Sequence, residues 1–205
     1  MVWSHRKNFI FIHVPKTGGT TIEKGMHLMG SRHGYGIIKN TAFQHFTSNE
    51  VKQLLGDRIF NFYDKISIVR NPYDRFISEY YWCQVDGVGY KSNQSFNEFI
   101  DYVEKCVKEE NFYETIYHDH FIPQWMYICI NDEITNQEKI AVDHLLRFEN
   151  FDNVKNFFMK NYAVSLKHEN YNSLNKDFEL NNNQKKRIYN IYKKDFELLG
   201  YDSEL

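Results

Sequence analysis

Residues 15–21 combine the residue types that hold a phosphate-like anion. The segment reads Pro-Lys-Thr-Gly-Gly-Thr-Thr and follows a largely apolar run at 9–14. Glycines let the backbone approach a ligand closely, and the free N–H groups and dipole of a following helix favour negative charge. The sequence therefore predicts a strand, a tight turn and a helix over 20–29, with Lys16 as the cation beside the anion.

A second anion site is predicted around Arg70, which follows a short apolar strand at 66–69. A nucleoside triphosphatase loop has its Lys after the glycines, and an Asp on a nearby strand helps to hold Mg²⁺. Here Lys16 precedes the glycines, and the strand ends in an Arg, which selects an anion. Arg70 and Ser78 are predicted to hold a second phosphate, and Arg75 either assists or packs at the core edge. Two such sites favour a nucleotide with two separated anionic groups and no obligatory metal.

These segments resemble those of sulfotransferases that use 3′-phosphoadenosine 5′-phosphosulfate (PAPS). Residues 15–20 are similar to the family's 5′-phosphosulfate loop, and residues 70–78 are similar to its 3′-phosphate motif. Three more segments resemble the carbohydrate branch, which includes heparan 2-O, chondroitin and HNK-1-like enzymes. These segments are 120–124 (His-Phe-Ile-Pro-Gln), 142–150 and 191–201.

The resemblance implies a single sulfotransferase domain over residues 1–205, with PAPS as co-substrate and adenosine 3′,5′-bisphosphate as product. Lys16 is expected to be catalytic, because a cation near the departing 5′-phosphate stabilises charge that grows in the transition state. No metal is expected to be required. The expected nucleotide-binding residues are Lys16, Thr17, Gly18, Gly19, Thr20, Thr21, Arg70 and Ser78.

An acceptor hydroxyl needs a general base, and His is the side chain that titrates near neutral pH. Residues 41–46, Thr-Ala-Phe-Gln-His-Phe, resemble the segment that carries the base in the heparan 2-O and chondroitin-type enzymes. That match implies His45. His13, beside the loop, and Glu23, on the first helix, stay open as alternatives, because a Glu soon after the loop is the base in another branch.

The run His118-Asp119-His120 raises the question of a metal site. On a strand, alternate residues share one face, so the two imidazoles would lie together. A zinc site needs three or four protein ligands, and the sequence indicates no third, so no metal site is predicted. His120 and Gln124 are instead expected to shape the site by orienting either the acceptor or the loop.

Composition limits the classes of function. The chain has 205 residues, 42% of them apolar, which is enough for one globular domain. A net charge of −2 gives no general basic field for nucleic acid. Three cysteines without metal-type spacing favour free thiols. The sequence has no secretory signal and no apolar run long enough to span a membrane, so a cytoplasmic location is expected.

Strands alternate with helices along the chain, which predicts an α/β fold of the P-loop type with three layers, a central parallel sheet flanked by helices. The predicted strands cover 8–14, 66–69 and 145–148, the last one buried. Capping-box spacing places helix starts after Thr47 and Ser95. Other helices are predicted from about Asp74, over 152–161 and after 181–183. Both anion motifs fall at the carboxyl ends of strands, where such sheets bind ligands.

Two other functions stay open from the sequence alone, a kinase-like phosphotransferase with an unusual loop and a nucleotide-binding module without turnover. The acceptor is expected to be a small molecule or an oligosaccharide that offers a hydroxyl. Its binding is expected to involve 31–46, 83–95 and 111–128, and no pattern in these segments identifies it.

Overall fold

A computed structural model describes residues 3–28, 43–84, 94–115, 117–132, 135–167 and 178–203. Its strands are β1 (Trp3–Ser4), β2 (Phe9–Ile12), β3 (Asp64–Val69), β4 (Cys129–Asn131), β5 (Glu138–Ile140) and β6 (His144–Arg147). The main sheet has the order β1–β2–β3–β6, in which β2, β3 and β6 are parallel and β1 is antiparallel to β2. β4 and β5 form a separate antiparallel pair. The predicted α/β fold with a mostly parallel sheet is confirmed.

Eight α-helices accompany these strands in the described part of the chain. They are α1 (Gly19–Gly25), α2 (Ser48–Leu55), α3 (Asp57–Phe62), α4 (Pro72–Gln84), α5 (Phe96–Lys108), α6 (Gln124–Ile128), α7 (Phe151–Tyr162) and α8 (Asn182–Leu199). The predicted capping boxes at Thr47 and Ser95 are present, and Asn181 forms a third one at the start of α8. None of the described helices has the length and apolar character needed to cross a membrane.

The sheet lies between two hydrophobic layers because alternate residues of its strands point to opposite faces. Phe9 and Phe11 of β2 pack into a cluster with buried residues of α1 and α7. Ile10 and Ile12 of the same strand pack into a larger cluster with residues of α4, α5 and α8. The three-layer arrangement therefore follows from one fully buried strand that contributes to both cores.

The prediction of a buried strand at 145–148 was wrong in two respects. The strand is His144–Arg147, and Phe148 begins a 3-10 turn. Leu145 is 37% exposed, and the residues of β6 alternate between half-buried and exposed. β6 pairs only with β3 among the described strands, and an edge strand of this kind buries one face, which an apolar run alone does not reveal.

The first helix is shorter than predicted, since α1 ends at Gly25 rather than at residue 29. Leu166 lies 2.3 Å from the position that a Cβ on Gly25 would take, so the chain after α7 packs closely against this end of the helix. Position 29 and the acceptor-side segments 31–42 and 85–93 lie outside the described residues.

Candidate active site

The loop between β2 and α1 has an unusual backbone that depends on its glycines. Gly18 has a φ of +83°, and Lys16 also lies in the left-handed region, with a φ of +69°. The Thr17 hydroxyl donates to the carbonyl oxygen of Val14 at 2.8 Å and so holds the turn closed. A Cβ on Gly19 would lie 2.1 Å from the His13 ring, so only glycine fits there. The loop is therefore held in shape by contacts within the protein.

Lys16 is a half-buried cation without a partner carboxylate. Its ammonium lies 5.2 Å from the centre of the Trp82 ring and makes no hydrogen bond or ion pair with the described residues. Burial lowers the pKa of Lys16 below its usual value, and the nearby Glu79 carboxylate opposes that change. Such a group gains from a bound anion, because an unpaired charge at a partly buried site is costly.

Arg70 follows β3 directly and faces the same loop. Its Nη1 donates to the carbonyl oxygen of Lys16 at 3.3 Å, and its guanidinium lies 4.4 Å from the centre of the Phe148 ring. Its Nε is buried and has no hydrogen-bond partner in the part of the chain that the structure describes. This guanidinium therefore keeps donors that the described residues do not use.

The backbone of Arg70 is held by Gln124, the first residue of α6. The Gln124 side chain accepts from the Arg70 N–H at 2.9 Å and donates to the Arg70 carbonyl at 2.8 Å. In turn, the buried Asp195 of α8 accepts from the N–H groups of Gln124 and Trp125 at 2.9 and 2.8 Å. Burial raises the pKa of Asp195 to about 6. The geometry gives Gln124 a part in fixing the second predicted anion site, whereas the sequence left open whether it orients the acceptor or the loop.

The segment after Arg70 is fixed from the other side by Glu149. Its carboxylate accepts from the N–H of Asn71 and from the hydroxyl of Tyr201, the latter at 3.1 Å. The sequence segments that contain Gln124, Glu149 and Tyr201 are the three that resemble the carbohydrate branch. The sequence assigned an orienting role to Gln124 and no role to Glu149 or Tyr201.

The other residues of α4 near the site have different surroundings. Ser78 is half-buried, and its hydroxyl makes no hydrogen bond with the described residues. Arg75 is buried and donates to the carbonyl oxygens of Pro15, His120 and Ile122 at 3.2, 2.7 and 3.0 Å. Of the two roles left open for Arg75, the geometry supports packing, because its donors are used by the protein itself.

Three buried histidines meet next to the loop, and each one is hydrogen-bonded through Nδ1 to a buried carboxylate. The ring of His45 lies between the other two, edge to face, with centroids 4.9 Å from His13 and 4.8 Å from His120. The three pairs are His13–Glu23 at 2.7 Å, His45–Asp119 at 2.8 Å and His120–Glu79 at 3.0 Å. The structure thus brings together all three candidate bases from the sequence, and it adds Asp119 and Glu79.

His45 has the environment of a neutral imidazole. Burial lowers its pKa to about 4, although the hydrogen bond and charge of Asp119 act to raise it. The second ring nitrogen, Nε2, lies 3.2 Å from the side-chain nitrogen of Gln44. At neutral pH, therefore, His45 carries a lone pair that is free of a proton.

Trp82 of α4 connects the cation of the loop with the histidines. It lies under the Lys16 ammonium, and its ring is 4.6 Å from that of His120. Burial by itself would raise the pKa of Glu79, but His120 and Lys16 outweigh it and hold that pKa below its usual value. The lowered pKa keeps the Glu79 carboxylate negatively charged beside His120 and Lys16.

Residues 118–121 form a 3-10 turn, so the strand geometry considered for this run is wrong. The turn separates the two imidazoles, since His118 Nδ1 contacts the Asn111 carbonyl at 2.9 Å while His120 faces His45. His45, Asp119 and His120 each offer one atom within 4.8 Å of the others. Both histidines already bond a carboxylate through Nδ1, and we read the cluster as hydrogen-bonded pairs. That no metal is needed stays a prediction.

Comparison with known families gives one match that spans nearly the whole chain. A family model described as "Sulfotransferase family" matches residues 1–202. No curated protein matches the chain. The matched range includes the loop, Arg70, Ser78 and all three histidine–carboxylate pairs.

Proposed function

The chain belongs to the sulfotransferase family, whose members use PAPS, and we propose that it transfers the sulfuryl group to a carbohydrate hydroxyl with His45 as the general base. Family membership gives the type of reaction. The acceptor class, the residue roles and the independence from metal are our proposal.

The observation that carries the proposal is the pair of cations at the ends of two neighbouring strands. β2 and β3 are adjacent and parallel, and Lys16 and Arg70 follow their carboxyl ends. Neither side chain forms an ion pair with the described residues, although both are half-buried and burial lowers the pKa of each. Unpaired buried charge is costly, and two anionic groups of one ligand would neutralise both cations. PAPS carries a 3′-phosphate and a 5′-phosphosulfate, which fit this requirement.

Lys16 would act on the leaving group. The bond between sulfur and the bridging oxygen breaks with its electron pair left on the 5′-phosphate, while the acceptor oxygen forms the new bond to sulfur. A cation that meets this growing charge stabilises the transition state more than the ground state. Arg70, with the Ser78 hydroxyl, would hold the 3′-phosphate through charge-assisted hydrogen bonds.

His45 suits the role of base better than the two alternatives do. The Glu23 carboxylate is fully buried, and its Oε1 is bonded to His13 at 2.7 Å, which ties it to the inside of the loop. The His13 ring lies against Gly19, under the loop. Both residues therefore support the loop, whereas Nε2 of His45 meets only the amide of Gln44 in the part of the chain described.

Incubation with labelled PAPS and a panel of oligosaccharides, with and without EDTA, tests the proposal. We expect transfer to a carbohydrate that survives EDTA, and we expect His45→Ala to reduce it by about 10²-fold or more. ATP consumption that EDTA abolishes would favour the kinase-like alternative. Binding of adenosine 3′,5′-bisphosphate without turnover on any acceptor, alike in wild type and His45→Ala, would favour a binding module.

A further inference from the structure

We infer that Asp119 is a positioning residue, which holds the His45 imidazole with its proton on Nδ1 so that Nε2 is the atom that takes the acceptor's proton. The inference rests on the proposed function, in which His45 is the base. Asp119 itself would not touch the substrate. It would act through the ring to which it is bonded.

Asp119 is buried, and the turn that carries it is held by two neighbouring helices. The residue is 1% exposed, and its Oδ2 accepts from His45 Nδ1 at 2.8 Å. Its backbone oxygen accepts from the hydroxyl of Tyr127 at 2.6 Å. The next carbonyl along the turn, that of His120, accepts from Arg75 at 2.7 Å. α4 and α6 thus hold the turn in place, and the carboxylate has little freedom to leave the ring.

The charge of Asp119 decides which nitrogen of His45 carries the proton. An ionised carboxylate only accepts hydrogen bonds, so Nδ1 must be the N–H nitrogen and Nε2 must hold the lone pair. The neighbour of Nε2 agrees with this, because the side-chain nitrogen of Gln44 lies 3.2 Å away and donates to it. The Gln44 amide oxygen then remains buried, without a hydrogen-bond partner among the described residues.

With the proton of His45 on Nδ1, Nε2 is the atom that receives the acceptor's proton. The O–H bond of the acceptor breaks, its proton binds to Nε2, and its electron pair forms the new bond to sulfur. The acceptor O–H would take the place at Nε2 where the Gln44 N–H now donates. His45 becomes an imidazolium whose Nδ1–H still donates its hydrogen bond to Asp119. The carboxylate stabilises that positive charge without accepting the proton.

The other charged groups around His45 do not supply this stabilisation. His13, at the end of β2, and His120, in the turn, both face the ring and lower its pKa when charged. Their own carboxylates, Glu23 and Glu79, are bonded to them and not to His45. Asp119 is the group whose hydrogen bond and charge raise the pKa of His45 against burial.

The first experiment replaces the carboxylate by an amide. For Asp119→Asn we expect kcat with labelled PAPS to fall by about 10² to 10⁴-fold, as for a base that loses its orienting carboxylate. The dissociation constant for adenosine 3′,5′-bisphosphate should stay within about twofold, because neither Asp119 nor His45 is assigned to either phosphate and the change leaves Lys16 and Arg70 in place. The acidic limb of the kcat–pH profile should move to lower pH, because the charge that raised the pKa of His45 is gone.

Glu23→Gln is the matched comparison, since it makes the same change in the neighbouring histidine pair. Glu104→Gln, at an exposed ion pair with Arg187, controls for charge removal elsewhere and should leave kcat and the pH profile as in wild type. The inference is overturned if Asp119→Asn keeps the wild-type kcat or pH profile, or if Glu23→Gln shifts the acidic limb and Asp119→Asn does not. Turnover that is missing in the wild type as well would instead overturn the proposed function.

A second measurement does not depend on how the Asp119 variants fold. Nitrogen NMR of the wild-type protein at pH 7, with the His45 signals assigned by their loss in His45→Gln, reports which ring nitrogen is protonated. We expect the proton on Nδ1. A proton on Nε2 would contradict the inference even if sulfuryl transfer is observed.

Discussion

The guanidinium of Arg70 donates a hydrogen bond to the main-chain oxygen of Lys16 at 3.3 Å. This contact joins the loop after β2 to the segment after β3, so the two predicted phosphate sites are held at a fixed spacing. Gln124 fixes the same segment through both backbone groups of Arg70. The site is therefore one unit whose halves come from two neighbouring strands.

Replacement of Lys16 by Ala should reduce kcat by about 10² to 10³-fold, because the cation acts on charge that develops in the transition state. Affinity for adenosine 3′,5′-bisphosphate should fall much less. Single-turnover transfer from labelled PAPS and calorimetric binding of the product separate the two effects. Lys155→Ala, at an exposed position of α7, is the matched control and should behave as wild type. A loss confined to binding would contradict the assigned role.

Replacement of Arg70 by Ala should weaken binding of adenosine 3′,5′-bisphosphate by about 10 to 100-fold, the value of one or two charge-assisted hydrogen bonds. Binding of adenosine 5′-monophosphate, which lacks the 3′-phosphate, should change little. Calorimetry with both ligands makes the comparison within one variant. An equal loss for both nucleotides would show that Arg70 does not recognise the 3′-phosphate.

Gly19→Ala should destabilise the fold by about 1 to 3 kcal/mol, because the new Cβ would meet the His13 ring at 2.1 Å and displace it. It should also weaken nucleotide binding, since the His13 ring supports the loop. Gly56→Ala is the comparison variant, because it introduces backbone strain without a steric clash. Gly56 has a φ of +76°, a ψ of 157° and open space around it, so we expect a cost of about 1 to 3 kcal/mol from backbone strain alone and unchanged nucleotide affinity. Thermal unfolding measures the stability of each variant, and calorimetry measures its nucleotide affinity. Equal nucleotide affinities in the two variants would contradict a role of the His13 ring in supporting the loop.

Asp195 should make the protein less stable as pH rises from about 4 to above 6. Burial raises its pKa to about 6 in the folded state, whereas the unfolded chain has the ordinary value of 3.8. Between these values the folded state binds the extra proton, so the free energy of unfolding falls as the proton is lost, by roughly 3 kcal/mol in all. Urea unfolding from pH 4 to 7 should therefore give a smaller decline for Asp195→Asn than for wild type. Identical slopes would contradict the assigned shift.

Local features of the fold were predictable because their partners are close in sequence. The capping boxes at Thr47 and Ser95 involve a residue three positions on, and both are present. The order of Lys16 and the glycines, together with Arg70 at a strand end, marked the two anion segments. The buried strand at 145–148 was wrong because burial depends on how many neighbours a strand has in the sheet.

By itself the sequence determined the α/β fold, the sulfotransferase resemblance and the residue types of the site, because each is a local pattern or the order of such patterns along the chain. The tertiary structure alone decided which groups act together. Asp119 meets His45 across 74 positions, Gln124 meets Arg70 across 54, and Glu79 meets His120 across 41. These pairs form because a shared core packs α4, α6 and the 118–121 turn around the ends of the strands. Sequence separation carries no information about which buried carboxylate will reach which imidazole.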